Sequence, residues 1–440
     1  MAISPIEGRY KTEMNALFDE EARLRSWIRV EIALAHAHAK LGHMPKEAAA
    51  EIEKASEKVS LSRVLEIESE IHHDLMAMVK ALSEQCPKFG GYVHFGATSY
   101  DIEDTALALV MRDGAGLIRS RLVGLKDILG KLALEKKNVV CVGRTHGQHA
   151  VPTTYGMKFA LYYDAVKRHI SLLDNAIKQI SVGKMSGAVG TMATFGDDAF
   201  KLQEIIMNEL ALSPAPISCQ VVGRERHAQM IFALATISST LEQIAKEIRN
   251  LSRNEILEIA ESFSAKQVGS STMPHKRNPH KCERICSLAR IMRSHLLVAM
   301  ENISLEHERD LTNSANERFI IPESFILCDF MLKQMQAIIS SLEFFPENIE
   351  KNLQLTKGAI LAERIMIELT KKGMDRQEAH ELMRESAKKA FSEKKSLQEI
   401  LSEDAQVKKL LSKKQLEKLF DAHTYIGKAN EIVKNTVSEK

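Results

Sequence analysis

The sequence predicts an all-α fold: three helical domains, the middle one a bundle of long helices. Three observations carry that expectation. Ala, Leu, Ile, Glu and Lys dominate the 440 residues, a composition that favours helix. The 10 prolines leave long gaps, with none between Pro87 and Pro152, Pro152 and Pro214, Pro216 and Pro274, or Pro279 and Pro322. Proline breaks helix interiors, so each gap has room for a very long helix. Apolar stripes at helical spacing fill those gaps.

The elements follow in order. The first 95 residues read as shorter helices, including Asp19–Leu41 and Lys46–Val59. Ile118, Leu122, Leu125, Leu129 and Leu132 then mark the first long helix. Phe159, Tyr162, Val166, Ile170, Leu173, Ile177 and Ile180 form a second, slightly drifting stripe. Met230, Leu234, Ile237, Leu241, Ile244, Ile248 and Leu251 step by four and three alternately, which is a heptad seam. Two further helices begin near Glu283 and near Glu317, the latter with a kink expected at Pro322. Beyond Pro346 the chain is helical and more charged, with Asp375 and Glu378 spaced as a capping box. Gly90-Gly91 and Phe344-Phe345-Pro346 are the expected joints, giving domains 1–95, 96–345 and 346–440. Five long helices with such seams cannot bury every stripe alone. A bundle completed by other subunits is therefore expected in preference to a monomeric one.

Composition excludes several classes. The net charge of +2 argues against a nucleic-acid surface. No run of about 18 apolar residues suggests a membrane span, and Met1 to Arg9 does not read as a signal peptide. The six cysteines form no Cys-x-x-Cys pair, which disfavours zinc and dithiol chemistry and fits a reducing cytoplasm. No metal and no cofactor are expected. Gly114-x-Gly116 is too short for a nucleotide fingerprint, and no phosphate-binding Gly-x-x-x-x-Gly-Lys loop occurs.

Polar clusters stand at the ends of the long helices. The stretch Gly269-Ser270-Ser271-Thr272-Met273-Pro274-His275-Lys276-Arg277-Asn278-Pro279 combines hydroxyls, cations and two prolines. It cannot be helix interior, and its donors suit an anionic ligand. His94 to Asp101, with Thr98 and Ser99, precedes the first long helix. Ser99 or Asp101 could cap that helix, or the same end could bind an anion. In Gly143-Arg144-Thr145-His146-Gly147-Gln148-His149, two glycines bracket His146, a candidate general acid. His72-His73-Asp74 reads as a solvated charged face or as a His–Asp pair. His307-Glu308-Arg309-Asp310 with Ser314 and Arg318 reads as a surface ion network or as a phosphate site. Arg9-Tyr10 is a weaker contact candidate.

These residues, in this order and spacing over nearly the whole chain, resemble the fumarase/aspartase superfamily. Gly269–Pro279 looks like its signature. Met-Pro-His-Lys-Arg-Asn-Pro, the His-Glu-Arg-Asp block and Gly373-Met374-Asp375-Arg376-Gln377-Glu378-Ala379 are similar to the branch that acts on succinyl-purine nucleotides. The chain departs from many members at His72, where they carry arginine, and at Glu306, where they carry tryptophan.

The resemblance implies β-elimination of fumarate from adenylosuccinate, giving AMP, and from succinyl-aminoimidazole carboxamide ribotide. It implies Ser270 as general base, with Lys276 and Asn278 stabilising the aci-carboxylate. It implies His146 as general acid supported by His73, with His72 and Asp74 beside it. Thr98 and Ser99 would hold the succinyl carboxylates, with His94 nearby, and Gln220 would contact the substrate. Arg9, Tyr10, Arg309, Ser314 and Arg318 would bind the ribose phosphate, with Arg284 a further anion contact. It also implies a cytoplasmic homotetramer, its core of bundled helices, with active sites shared between subunits. The rivals are a carboxymuconate cycloisomerase, an argininosuccinate lyase, and a non-catalytic scaffold on the same fold. A substrate without phosphate has no need of Arg309, Ser314 and Arg318 together, and a scaffold has no need of Ser270, His146 and Lys276.

Overall fold

The computed structural model describes residues 4–263, 272–273 and 275–438. The fold is all-α: eighteen α-helices lie among the described residues, with six short strands in three pairs.

The chain opens with α1 (Asn15–Phe18) and α2 (Glu20–Leu41). The Asp19 carboxylate accepts from the Ala22 amide to start α2, and Gly42, at φ 81°, ends it. Next come α3 (Lys46–Ser56), α4 (Leu61–Ile71) and α5 (Asp74–Glu84). Trp27, Leu34, Ile52, Val64, Leu75 and Met78 bury into one core with the later residues Leu202 and Ile206. The expected second helix thus stops at Ser56 rather than Val59.

The middle of the chain holds α6 (Ser99–Glu135), β1 (Val140–Thr145), β2 (Gln148–Thr154), α7 (Tyr155–Ile180), α8 (Ala199–Leu210), α9 (Glu225–Leu251), α10 (His280–Glu301) and α11 (Ser314–Ser340). The seams are buried as the periodicity requires. Every seam residue from Met230 to Leu251 is buried, as are Ile118, Leu122, Leu125 and Leu129, while Leu132 is half-buried. On α7, Ile170 and Ile177 are half-buried, where the stripe drifts off the buried face. Pro322 lies inside α11, which continues through it.

Sequence reading missed the hairpin. β1 and β2 pair antiparallel from Val140 opposite Thr154 to Thr145 opposite Gln148, with an irregularity between Val142 and Arg144. The β-branched runs Val139–Val142 and Val151–Thr154 were its signal. The other pairs are two-residue contacts: β3 (Val182–Gly183) parallel to β4 (Ser213–Pro214), and β5 (Ile259–Ala260) antiparallel to β6 (Glu343–Phe344).

The C-terminal part comprises α12 (Pro346–Gln354), α13 (Ala362–Lys371), α14 (Arg376–Glu393), α15 (Leu397–Glu403), α16 (Ala405–Leu410), α17 (Lys413–Leu419) and α18 (Ala429–Val437). Ile365, Leu369, Met383, Leu397, Leu401 and Leu416 share one core. The expected capping box at Asp375 is half formed. Asp375 accepts from the amides of Gln377 and Glu378, but the Glu378 carboxylate accepts from Gln406 instead. Complete boxes occur at Ser396 with Glu399 and at Ser412 with Gln415.

The chain divides into two compact units. The first comprises Met1–Val123, Arg168–Leu241 and Ile285–Gln334. The second comprises Gly124–Lys167, Glu242–Arg284 and Met335–Lys440.

Candidate active site

In the first unit, a cavity of about 440 Å³ gathers residues from four separate stretches of chain. Each is positioned by a local device. His72, at φ 55°, ends α4, and its amide bonds the Glu68 carbonyl. His73 then begins α5: its Nδ1 accepts from the Met76 amide at 3.4 Å, which leaves the proton of the neutral ring on Nε2. The two histidines therefore form a helix-to-helix corner rather than one charged helix face. Asp74, the first residue of α5, pairs with the Arg318 guanidinium at 2.6 Å. Burial works against the Asp74 carboxylate, but the Arg318 hydrogen bond and the Leu75 amide hold it below the usual range.

The start of α6 resolves the choice between capping and binding. Asp101, fully buried, accepts from the Thr98 amide at 2.9 Å and so caps the helix from within. The same carboxylate takes Lys184 Nζ at 2.5 Å and the amides of Ser186 and Gly187. The hydroxyls of Thr98 and Ser99 make no hydrogen bond among the described residues, and both residues line the cavity. Upstream, Gly96 has φ 76°, and a Cβ there would meet the Phe195 ring at 3.0 Å, so backbone conformation and packing both require glycine. His94 lies outside the cavity lining. Buried Glu31 accepts from both its Nδ1 (2.6 Å) and its backbone amide (3.1 Å). Burial disfavours the imidazolium, yet the Glu31 bond outweighs it and raises the His94 pKa.

Arg309 is the most informative group of this cavity. Its guanidinium lies 3.5 Å from the Tyr100 ring centroid. Its Nη1 donates to Gln220 Oε1 at 2.9 Å, and Gln220 is held in turn by the Glu308 and Ala188 carbonyls. Its Nε and Nη2 are buried with no hydrogen-bond partner. Buried unsatisfied donors are rare and costly, and a planar pair of them matches a phosphate or carboxylate. Ser314, at the N-terminus of α11, accepts from the Tyr100 hydroxyl at 3.4 Å. Gln220, Arg309, Ser314, Arg318, Thr98, Ser99, His72, His73 and Asp74 thus meet in one place. Arg9 is exposed and Tyr10 packs edge-on against Phe330, so neither lines the cavity.

Four lining residues were missed by sequence reading: Glu68, Tyr100, Glu103 and Leu311. Glu103 stands one turn into α6 on the same face as Ser99, and that i+4 spacing was its available signal, whereas Tyr100, directly after Ser99, had none of this kind.

In the second unit, His146 and Gly147 form the turn of the β1–β2 hairpin, with φ 54° and 74°. A two-residue turn with both φ positive matches the twist of the strands. His146 is exposed at its tip. Arg144 bonds fully buried Glu258 through Nη2 and leaves its Nη1 buried without a partner; Glu258 also accepts from Tyr155 (2.6 Å) and Asn352 (2.9 Å). Gly147 is therefore accounted for by the turn and Gly143 by the irregularity in β1, where a Cβ would meet the Val151 carbonyl oxygen at 2.8 Å, while Arg144 ties the turn end of β1 to Glu258.

A cleft of about 910 Å³ in the same unit is lined by Met273, Lys276, Arg277 and Asn278 together with Arg249 and Arg253. Arg277 lies 3.5 Å from Glu343. Glu261 accepts from the Lys281 and Cys282 amides and so occupies the N-terminus of α10, where Arg284 follows just after the first turn. Ser270 lies outside the described residues. Among the described residues, no group of three His, Cys, Asp or Glu could hold a metal ion, and no helix is long and apolar enough to cross a membrane.

Residues 8–292 match the family model described as Lyase, and residues 358–436 match the model of the adenylosuccinate lyase C-terminus. The adenylosuccinate lyase of Pyrococcus abyssi is 53% identical over 441 residues, covering 100% of this chain and 98% of that protein. Among solved structures, a fumarate lyase from Mesorhizobium sp. BNC1 superposes with a TM-score of 0.90 at 30% identity, covering 97% of this chain and 98% of the other. The 3-carboxy-cis,cis-muconate lactonizing enzyme of Pseudomonas putida gives a TM-score of 0.89, also at 30% identity, over 99% of this chain and 98% of that one.

Proposed function

The chain belongs to the adenylosuccinate lyase family, and from that premise we infer that it splits adenylosuccinate into AMP and fumarate. It also releases fumarate from succinyl-aminoimidazole carboxamide ribotide. It is a carbon–nitrogen lyase, and no cofactor is invoked. The observation that carries the substrate reading is Arg309, with two buried donors unpaired beside Ser314 and Arg318. A phosphate would satisfy them. The muconate rival has no such phosphate, and its solved relative shares 30% of residues against 53% for the adenylosuccinate lyase.

The step is a β-elimination. Ser270, as alkoxide, takes the proton on the succinyl carbon beside the carboxylate. The electron pair left behind delocalises into that carboxylate, and Lys276 and Asn278 stabilise the added charge. The pair then forms the double bond of fumarate as the carbon–nitrogen bond breaks. His146 protonates the leaving nitrogen. Exposure of His146 at the hairpin tip supports that role, and the Nε2–H of His73 is suited to orient a partner imidazole. Thr98 and Ser99 hold the succinyl carboxylates, which agrees with hydroxyls left unused by capping.

The assembly is a cytoplasmic homotetramer in which the His146 hairpin, the signature segment and the Arg309 cavity that form one site come from different subunits. Exposed Phe232, Leu297, Met300 and Phe319 on α9, α10 and α11 support burial of these helices in an interface.

The test is direct. Purified protein given adenylosuccinate should release fumarate, with the ultraviolet change that accompanies AMP formation. Ser270→Ala should retain substrate binding and lose at least about 1000-fold in kcat. Near-wild-type turnover by Ser270→Ala would remove it as the base.

A further inference from the structure

We propose that Glu103 is a substrate-contacting residue of the Arg309 cavity, donating a hydrogen bond to the bound anion as the neutral acid and competing for the arginines once ionised. This rests on the reading of that cavity as the anion site of the substrate.

Glu103 occupies a particular place. It lines the cavity of Thr98, Ser99, Arg309 and Arg318, and it also lines a second, more apolar cavity that includes Phe18, Trp27 and Pro322. Tyr100, Ser314 and Arg318 are common to both cavities. Glu103 therefore stands where the two cavities share a wall, one helical turn from Ser99 on the same face of α6. No described residue offers it a hydrogen bond. A carboxyl without a protein partner, beside arginine donors without a protein partner, points to one ligand that engages both.

The charged groups around it oppose its ionisation. Asp74 of α5 and Asp104 of its own helix face it as acids, while Arg318 of α11 and Arg309 of the preceding loop face it as cations. Arg23 of α2 and Glu317 of α11 line the second cavity. Glu68, His72 and His73 line the first. Both neighbouring acids are already ionised in defined pairs. Asp74 is held by Arg318, and Asp104 takes Arg224 in two bonds of 3.0 and 2.9 Å. Arg318 is thus largely answered by Asp74 before Glu103 is counted, while Arg309 keeps two donors unpaired. Burial, then Asp74 and Asp104, push the Glu103 carboxyl up to about 8 against the pull of Arg318 and Arg309. The sign follows. Below pH 8 Glu103 is an acid and a donor. Above it, a new negative charge sits beside the arginines that hold the anion, and affinity falls.

AMP binding by isothermal titration calorimetry, from pH 7 to 9.5, tests this without chemistry. The AMP phosphate is a dianion across that window, since its second ionisation lies near pH 6. Tyr100 titrates above its ordinary value and stays neutral. The wild-type Kd should rise about fivefold between pH 8 and 9, as one group of pKa near 8 ionises. Glu103→Gln, a permanent neutral donor, should show no alkaline rise. Glu103→Ala should bind more weakly at pH 7 and also show none. A flat wild-type profile overturns the proposal whether or not the variants fold. So does an equal rise in wild type and Glu103→Gln. Failure of AMP to bind at any pH would instead count against the substrate reading itself.

Discussion

Arg309 illustrates how a single side chain can declare a ligand. Its plane lies on Tyr100, one nitrogen is tied to Gln220, and Nε and Nη2 face no protein acceptor. Such an arrangement is stable only if something outside the protein answers the remaining donors. Arg309→Lys keeps the charge but loses the planar pair and the stack. It should raise KM for adenylosuccinate roughly 10- to 100-fold, the range expected for losing a charged hydrogen-bond pair, with a smaller change in kcat. Steady-state kinetics at fixed pH checks this. A kcat loss with KM unchanged would move Arg309 from binding to chemistry. The residues of this cavity were largely legible beforehand, because hydroxyls, histidines and arginines clustered at helix ends. Tyr100 and Glu103 were not, because each is ordinary within a helix until its neighbours from other segments are known. Arg9 and Tyr10 show the converse, since their adjacency in sequence placed neither in the cavity lining.

Among the elements, the heptad seams predicted the long helices well, because burial at 3.6-residue spacing is a property of the chain alone. The β1–β2 hairpin escaped because its register depends on pairing across a two-residue turn, which apolar periodicity does not report. The start of α6 joins both kinds of information. Asp101 reads as a possible cap, but only the fold reveals its ion pair with fully buried Lys184 and its bonds to the Ser186 and Gly187 amides. Thus Asp101 fixes the corner that presents Thr98 and Ser99. Asp101→Asn would leave the buried ammonium without its counter-charge, which costs about 3–5 kcal/mol when one partner of such a pair is removed. Urea unfolding followed by far-ultraviolet circular dichroism, at fixed protein concentration, should show a loss of that size. A loss below about 1 kcal/mol would mean that the ion pair does not hold this corner.

For the whole molecule, the question is whether groups from distant segments serve one reaction. His146 sits on a hairpin of the second unit, while Thr98, Ser99 and Arg309 sit in the first. Sequence order could not relate them, since the hairpin turn, the residue before α6 and the loop before α11 that carry them are separated by long helices. Phe232, Leu297, Met300 and Phe319 remain exposed on α9, α10 and α11, an arrangement suited to subunit packing. If each site takes its base and its acid from different subunits, two inactive variants can repair one another. Ser270→Ala and His146→Gln should each be inactive alone. When the two are mixed at equal concentration, dissociated under mild denaturant and reassociated, random assortment places wild-type Ser270 and His146 together in roughly a quarter of sites. Fumarate release should then recover towards that fraction of wild-type activity. If base and acid came from one chain, no site in any mixed tetramer would hold both, and the mixture would stay inactive at every ratio.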